Sequence, residues 1–248
     1  MKTLCRFAAI ALTTVCSLTA GDLTLTFNTR AKVMGFSRNS VDTHYYSSRF
    51  HRTRSEDGKQ DTLIDFEKGI SYQIDHAKKV IQFMKIDEVL EAMSQMKAPG
   101  GPDMGAMLGG LFGNAEDIKV ETQGTETVAG RSCTRHHLSA GRMVMDFSAD
   151  PTLKPPIPAA AWAKSVRMKA LAGSMVASPA LKKLYEEMSR IQGIPLKTQM
   201  KGFMGADSIS EATRVVEGPI PAATFELPAG YRMEDFGKKL KEQVARQH

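Results

Sequence analysis

Apolar and polar residues alternate in three short runs within residues 61–86. Tyr72 and Ile74 alternate with polar neighbours in the second run, and Ile81 and Phe83 do so in the third. A period of two over such short segments is typical of β-strands with one apolar and one polar face. The two linking stretches are polar and turn-like, so the pattern predicts an antiparallel meander whose apolar face needs a cover.

The same alternation predicts strands on both sides of this meander. Leu25 and Phe27 belong to the clearest strand pattern of the chain, and Met143, Met145 and Phe147 share one face of a predicted hairpin strand. The predicted strands outside the meander are 21–35, 41–54, 116–122, 133–138, 141–147, 194–203, 208–217 and 224–227.

Three segments change to a helical period. Residues 86–97 carry apolar side chains at i, i+3, i+4 and i+7, residues 159–176 are rich in alanine, and residues 178–193 begin with a Ser-Pro helix start. Strands, then helices, then strands again indicate an α+β fold. We predict a curved antiparallel β-sheet, an open half-barrel, with the helices covering its concave face.

The first twenty residues have the parts of a secretory leader. Lys2 and Arg6 precede a short apolar run and a stretch of small residues. The run is too short to cross a bilayer, although an uncleaved membrane anchor is the alternative interpretation. We therefore expect a signal peptide at 1–20, a half-barrel domain at 21–232, and a C-terminal helix or tail at 233–248. The protein is expected to be exported to the periplasm or the extracellular space.

Net charge limits the classes of partner that the sequence suggests, and cysteine content limits how the fold can be stabilised. Without the leader the 33 basic residues fall to 31, which against 27 acidic residues leaves a net charge of +4. No basic block is interleaved with aromatic residues, so we expect no nucleic-acid partner, whereas a weak positive field suits an anionic membrane surface. Cys133 is the one cysteine beyond the leader, so a packed core and not a disulfide must hold the fold.

Three stretches carry a resemblance to known families. Residues 62–84, with Ile64-Asp65, Gly69, Tyr72 and Ile74-Asp75, resemble the central hairpins of bacterial outer-membrane lipoprotein carriers of the LolA/LolB-like fold. Val-Ala-Gly-Arg-Ser-Cys at 128–133 and Phe-Glu-Leu-Pro-Ala-Gly-Tyr at 225–231 resemble a secreted bacterial family of unknown function with the same architecture. The resemblance implies an unclosed antiparallel barrel whose helices plug its mouth, and a cavity that holds acyl chains. The functional residues of the carriers have no individual counterparts in this chain, so the activity transfers only by analogy of fold.

Methionine is unusually frequent, with 15 residues, of which Met1 belongs to the leader. Flexible thioethers line apolar surfaces that adapt to ligands of varied shape. Our leading hypothesis is a non-enzymatic protein that shelters a lipid, an acyl chain or a lipoprotein anchor. The predicted apolar lining is Leu25, Phe27, Tyr72, Ile74, Ile81, Phe83, Met143, Met145, Phe147, Trp162, Leu184 and Met188.

Two other interpretations remain open. An envelope structural or interaction module would use the same methionines to fill a solid core. A copper site would use thioether pairs such as Met93/Met96 and Met104/Met107, although the first pair lies in an apolar helical stripe that favours core packing.

Catalytic chemistry has little support in the sequence. Cys133 and His137 are four residues apart on a predicted strand, about 13 Å, which is too far for a nucleophile and its base. They also lack further ligands at zinc spacing. His44, His51 and His76 are scattered and expected to be exposed. We therefore predict no enzyme, no cofactor and no metal.

Overall fold

The computed structural model describes residues 21–33, 36–88, 116, 118–141, 143–158, 160–161, 183, 186–188, 190–203 and 206–238. These residues form one unclosed sheet of twelve strands, with the order β12-β6-β5-β4-β3-β2-β1-β11-β10-β9-β8-β7. The strands are β1 Leu23–Val33, β2 Phe36–Tyr46, β3 Phe50–Ser55, β4 Gln60–Asp65, β5 Ile70–Asp75, β6 Val80–Lys85, β7 Lys119–Val128, β8 Arg131–Ala140, β9 Met143–Asp150, β10 Ile194–Phe203, β11 Ala206–Glu217 and β12 Arg232–Asp235.

The predicted meander is confirmed as β4, β5 and β6. Tyr72 pairs with Phe83, and Ile74 pairs with Ile81 across the β5–β6 ladder. The turn between β4 and β5 closes because Gly69 adopts a φ of 63°, which only glycine takes without strain. Each hairpin thus follows from its local sequence.

A large, mainly antiparallel sheet is confirmed, with three departures from the predicted strands. The predicted strand 41–54 is wrong, because the chain turns between β2 and β3, where the Phe50 amide donates to Ser47 Oγ at 2.9 Å. Residues 222–225 form a 3-10 helix and not a strand. β12 pairs in parallel with β6, which adds a strand that no local pattern predicts.

Two apolar clusters form part of the described core, beside buried residues of the meander such as Ile74 and Ile81. The first cluster consists of buried Ile118, Leu138, Ala140, Met143 and Phe147, with Val120, Met145, Met188, Ile191 and Met200 packed against them. The second cluster consists of buried Leu23, Leu25, Tyr46, Val128, Cys133, Leu153, Ile157, Ile194, Leu196 and Ala212, with Phe27, Phe66, Ala161 and Val215 packed against them.

The predicted helices fall mostly outside the described residues, as do Trp162 and Leu184 of the predicted lining. Residues 86–88 and 186–188 are helical. Helical cover of a concave face therefore stays a prediction, although Met188 packs on the first cluster and Ala161 on the second. Within the described ranges, every helix is too short or too polar to traverse a lipid bilayer.

Candidate functional site

Strand pairing defines two faces of the sheet, because directly paired residues point to the same side. Leu25 pairs with His44, and the next partners across the sheet are Thr53 on β3, Thr62 on β4 and Gln73 on β5. We call the side that carries these residues the front face, and the other side the back face.

The predicted lining is divided between these two faces. On the other half of the sheet the front face continues from Thr29 through Ser210 and Thr198 to Phe147. The front face therefore carries Leu25, Phe27, Met143, Met145 and Phe147. The back face carries Tyr72, Ile74, Ile81 and Phe83, which alternate with the front-face residues of β5 and β6.

The front face of β7 to β10 carries the first cluster, which we now call the methionine cluster. Met143 is buried, whereas Met145, Met188 and Met200 are only partly buried. Met145 pairs with Leu138 on one side and with Met200 on the other. Three flexible thioethers thus lie on a face that is not fully covered by described residues.

Two open clefts lie over the edge of this cluster. The first has a volume of 640 Å³ and is lined by Glu116, Ile118, Lys119, Val120, Glu121, Lys183 and Glu187. The second has a volume of 350 Å³ and is lined by Val120, Thr122, Thr134, His136, Pro151, Glu187, Arg190, Ile191 and Gln192. Because both include Val120 and Glu187, they form one groove between β7 and the segment 183–192. Ile118 and Val120 alternate with charged residues in the sequence. This alternation indicated an apolar strand edge, but neither residue was included in the predicted lining.

The rim of the groove is charged. Glu187 accepts hydrogen bonds from Lys183 at 2.8 Å and from Arg190 at 2.7 Å. The hydrogen bond from Lys183 and the two positive charges lower the pKa of Glu187. His136 stacks on Phe147 with ring centroids 5.3 Å apart, and burial lowers its pKa, which favours the neutral ring at pH 7. The groove therefore combines an apolar floor with a rim of paired charges.

The second cluster holds histidines that the sequence analysis expected to be exposed. That expectation is wrong for His51, which is 2% exposed, and for His44 and His76, which are half-buried. Tyr46 stacks on His51 with centroids 4.2 Å apart, and His44 Nδ1 lies 3.2 Å from His51 Nε2. Burial raises the pKa of Tyr46. The aromatic stack fills the front face beside Leu25, so it belongs to the core.

A buried ion-pair network on the back face was missed by the sequence analysis. Asp61 Oδ2 accepts from Arg52 Nη2 at 2.5 Å and from Arg54 Nε at 3.3 Å, and lies 3.3 Å from His76 Nε2. His76 Nδ1 in turn lies 3.0 Å from the hydroxyl of Tyr231. Asp61 Oδ1 is buried and has no hydrogen-bond partner among the described residues.

Arg52 extends this network to the C-terminal part of the chain. Its Nη1 donates to the carbonyl oxygens of Thr224 at 2.8 Å and Glu226 at 2.9 Å. Phe225 between them stacks on Phe50 of β3 with centroids 5.3 Å apart. Arg52 therefore fastens the segment 222–231 to the back face of the sheet.

Other polar pairs cross the back face of β7 to β10. His137 Nδ1 lies 2.6 Å from Asp146 Oδ1, and Lys197 Nζ donates to Glu126 Oε2 at 2.9 Å. Burial alone would raise the pKa of Glu126, but hydrogen bonds from Ser148 and Lys197 outweigh it and lower the pKa. None of these groups lines the groove. Among the described residues no three His, Cys, Asp or Glu side chains are placed to hold a metal ion.

Cys133 lies in the second cluster and is fully buried. Burial raises the pKa of its thiol, which keeps it protonated and unreactive at neutral pH. The predicted thioether pairs Met93/Met96 and Met104/Met107 lie outside the described residues.

Comparison with known proteins gives one family and several distant structures. A family model described as "Domain of unknown function (DUF4412)" matches residues 104–231, which include both of the short motifs noted in the sequence. No curated protein matches the chain.

Three of the similar solved structures illustrate the range. PNGF-II is 13% identical with a TM-score of 0.43, and the match covers 91% of this chain and 33% of PNGF-II. MucB in the Pseudomonas aeruginosa MucA/MucB complex is 14% identical with a TM-score of 0.43, covering 86% of this chain and 58% of MucB. A LolA superfamily protein from Nitrosomonas europaea is 7% identical with a TM-score of 0.32, covering 84% of this chain and 91% of its own. The chain thus spans a third of PNGF-II and under two thirds of MucB, and all three likenesses are too distant to support a function.

Proposed function

Because the chain belongs to the DUF4412 family, whose function is unknown, we propose a function from its own residues: it binds a hydrophobic ligand without catalysis. The predicted membership of a family of unknown function is confirmed by this match. The ligand class is a lipid, an acyl chain or a lipoprotein anchor, and the proposed site is the groove over the methionine cluster.

The observation that carries this proposal is the incomplete burial of the methionine cluster, whose Ile118, Val120 and Ile191 line an open groove. Met145, Met188 and Met200 are only partly buried, while Ile118 and Val120 form an apolar floor at the sheet edge. Thioether side chains have three rotatable bonds and repack around ligands of different shape at little cost. A filled core would instead bury these methionines completely.

Size and polarity of the groove suit an amphipathic ligand. A volume of 640 Å³ falls within the range of about 300–1,000 Å³ that is usual for small-molecule sites. The floor can take an apolar chain, while Lys119 on the rim offers a positive charge to an anionic head group. Binding of this kind needs shape and apolar area, and it needs no nucleophile or base.

The proposed compartment follows from the beginning of the sequence. We propose that residues 1–20 are a signal peptide and that residues 21–232 form the exported binding domain. A periplasmic or extracellular site would bring the groove close to membrane lipids and lipoproteins, which are the partners in this proposal.

A matched pair of valine variants tests the site. Val120 lies on the front face, where it pairs with Leu138, whereas Val144 is also half-buried but lies on the back face, where it pairs with Ser139. We expect Val120→Gln to weaken binding of a fluorescent fatty acid at least about fivefold, because an unpaired amide on an apolar floor costs about 1–3 kcal/mol. Val144→Gln should leave the dissociation constant unchanged.

Two results would reject the proposal. Failure of the wild-type protein to bind fluorescent fatty acids, together with native mass spectra free of co-purified lipid, would favour the rival module with a filled core. Equal weakening by both valine variants would place the ligand elsewhere on the protein.

A further inference from the structure

The β1–β2 hairpin ends in an exposed aromatic residue. Phe36, the first residue of β2, is 81% exposed, which is far more than Met233 at 48% or Phe236 at 37%. It pairs with Val33 at the end of two eleven-residue strands. A single exposed apolar side chain is ordinary on a protein surface, so the charges around Phe36 decide what it could contact.

Positive charge surrounds this aromatic residue on both faces of the sheet. Residues 30–40 and 199–209 together contain Arg30, Lys32, Arg38 and Lys201 but a single acidic residue, Asp207, so the net charge of the region is +3. All four cations are exposed, and none pairs with a carboxylate within the described part of the chain.

The pairing register distributes these cations around Phe36. Arg38 lies on the same face as Phe36 and pairs with Ala31. Arg30 and Lys32 alternate with Ala31 and therefore lie on the opposite face. With Lys201 they line an open cleft of 330 Å³. The end of the sheet thus presents one apolar side chain between two positively charged sides.

We propose that this end of the sheet docks on an anionic phospholipid membrane, with Phe36 entering the interface and the four cations contacting lipid phosphates. An aromatic ring at the head-group level, flanked by Lys and Arg, is an arrangement that suits a membrane–water interface. Each cation held near an anionic surface contributes roughly a fivefold gain in affinity, and burial of one Phe side chain contributes about tenfold or more.

Nucleic acid and protein partners fit these residues less well. Among its described side chains, the region has one exposed aromatic ring at a tip and no basic groove interleaved with stacking residues. A protein interface would require a broader apolar patch than a single ring. Membrane docking does not depend on the ligand groove, which lies at the β7 edge.

Vesicle co-sedimentation of the purified protein tests the proposal. We expect binding to vesicles of phosphatidylcholine with one quarter phosphatidylglycerol, and at least tenfold weaker binding to pure phosphatidylcholine. Phe36→Ser should weaken binding about tenfold, while the control Phe236→Ser, at another exposed phenylalanine, should not change it.

A charge-matched pair separates this site from a general charge effect. Arg30→Gln/Lys32→Gln should lose roughly 20–30-fold in vesicle affinity, whereas Lys154→Gln/Lys238→Gln removes the same charge from exposed sites elsewhere and should lose far less. Phe36→Trp should keep the affinity and shift its fluorescence to the blue on vesicles, beyond any change of Trp162 in the wild type. All altered positions are exposed, so thermal unfolding should match the wild type.

Three outcomes would overturn the proposal. The first is equal binding to neutral and anionic vesicles. The second is equal loss in Phe36→Ser and Phe236→Ser. The third is binding to a DNA duplex as tight as binding to anionic vesicles, which would identify a general polyanion surface. If the protein fails to bind anionic vesicles but still binds fatty acids, the membrane-docking proposal is rejected and the groove remains the proposed ligand site.

Discussion

The back face of β3 to β6 and the front face of β7 to β10 differ in what they bury: one buries paired charges and the other flexible apolar side chains. On the back face, Arg52 and Asp61 are almost completely buried and fasten the segment 222–231 in one orientation. On the front face, partly buried thioethers share a cluster with Ile118 and Val120, which line an open groove. Directional charge–charge hydrogen bonds fix a geometry, whereas unbranched apolar chains tolerate several.

This contrast indicates where the chain can adapt to a ligand. A buried charge pair is costly to rearrange, because any displacement leaves an uncompensated ion in a poorly solvated place. Repacking of a methionine exchanges one set of weak contacts for another. We therefore regard the back-face network as structural and the methionine cluster as the adaptable part.

The largest effect is expected from Asp61→Asn. Loss of the carboxylate charge leaves Arg52 buried without its partner, which should lower the free energy of unfolding by about 3–5 kcal/mol. Urea unfolding monitored by circular dichroism measures the change. Asp57→Asn removes a carboxylate from the exposed turn between β3 and β4 and should be indistinguishable from the wild type. If the two variants behave alike, the network does not hold the back face.

An intermediate effect is expected from truncation of apolar residues on the two faces. Ile74 is fully buried in the meander, so Ile74→Ala should cost about 2–5 kcal/mol of unfolding free energy. Met145→Ala should cost clearly less, because Met145 is only partly buried and its neighbours can move into the space. For fatty-acid affinity we expect the opposite order, with Met145→Ala weakening binding more than Ile74→Ala. A larger stability loss for Met145→Ala would show that the methionine cluster is a rigid core.

The smallest effect on stability is expected from lowering the pH. Burial alone would raise the pKa of Asp65 and of Asp150, but hydrogen bonds from Arg49 and Arg131 respectively outweigh it and lower both values. A carboxyl group with a lowered pKa stabilises the fold fully above its unfolded value of about 4, and this contribution is lost as pH falls through the folded value.

Urea midpoints measured between pH 7 and pH 2.5 check this prediction. Stability should fall below about pH 4, and Asp65→Asn and Asp150→Asn should each flatten that fall. Because Asp65 ends β4 and Asp150 ends β9, the two variants compare the two halves of the sheet directly. Stability that rises between pH 4 and pH 3 would contradict the assignment.

The meander was predictable because neighbouring residues in the sequence determine its strands and turns. The amides of Glu67 and Lys68 each donate to Asp65 Oδ1 at 3.1 Å, so the turn residues supply their own hydrogen bonds. The break between β2 and β3 was missed because its turn contains neither glycine nor proline, and alternation continues on both sides. β12 was missed because its pairing with β6 depends on residues about 150 positions away.

The candidate site was predictable only in part. Met143, Met145 and Phe147 were placed correctly on one strand face, and the structure brings them together with Met188. The separation of Tyr72 and Leu25 onto opposite faces depends on the register of five strands, which alternation within one strand cannot give. The Asp61 network was missed because a charged residue in a strand ordinarily points to solvent. Opposite charges at Arg54 and Asp61, which face each other across a hairpin, were the available signal.

The parallel pairing of β12 with β6 also constrains the order in which the protein can mature. A ribosome or a translocation channel delivers the chain from its N-terminus, so the β6 edge and the charged Arg52–Asp61 pair are finished long before residues 224–235 arrive. Until then an unpaired strand edge faces the surroundings, which is the condition under which nascent chains associate with one another. The segment 224–235 therefore covers the β6 edge last. The interval before it docks is the period in which this protein most needs a chaperone.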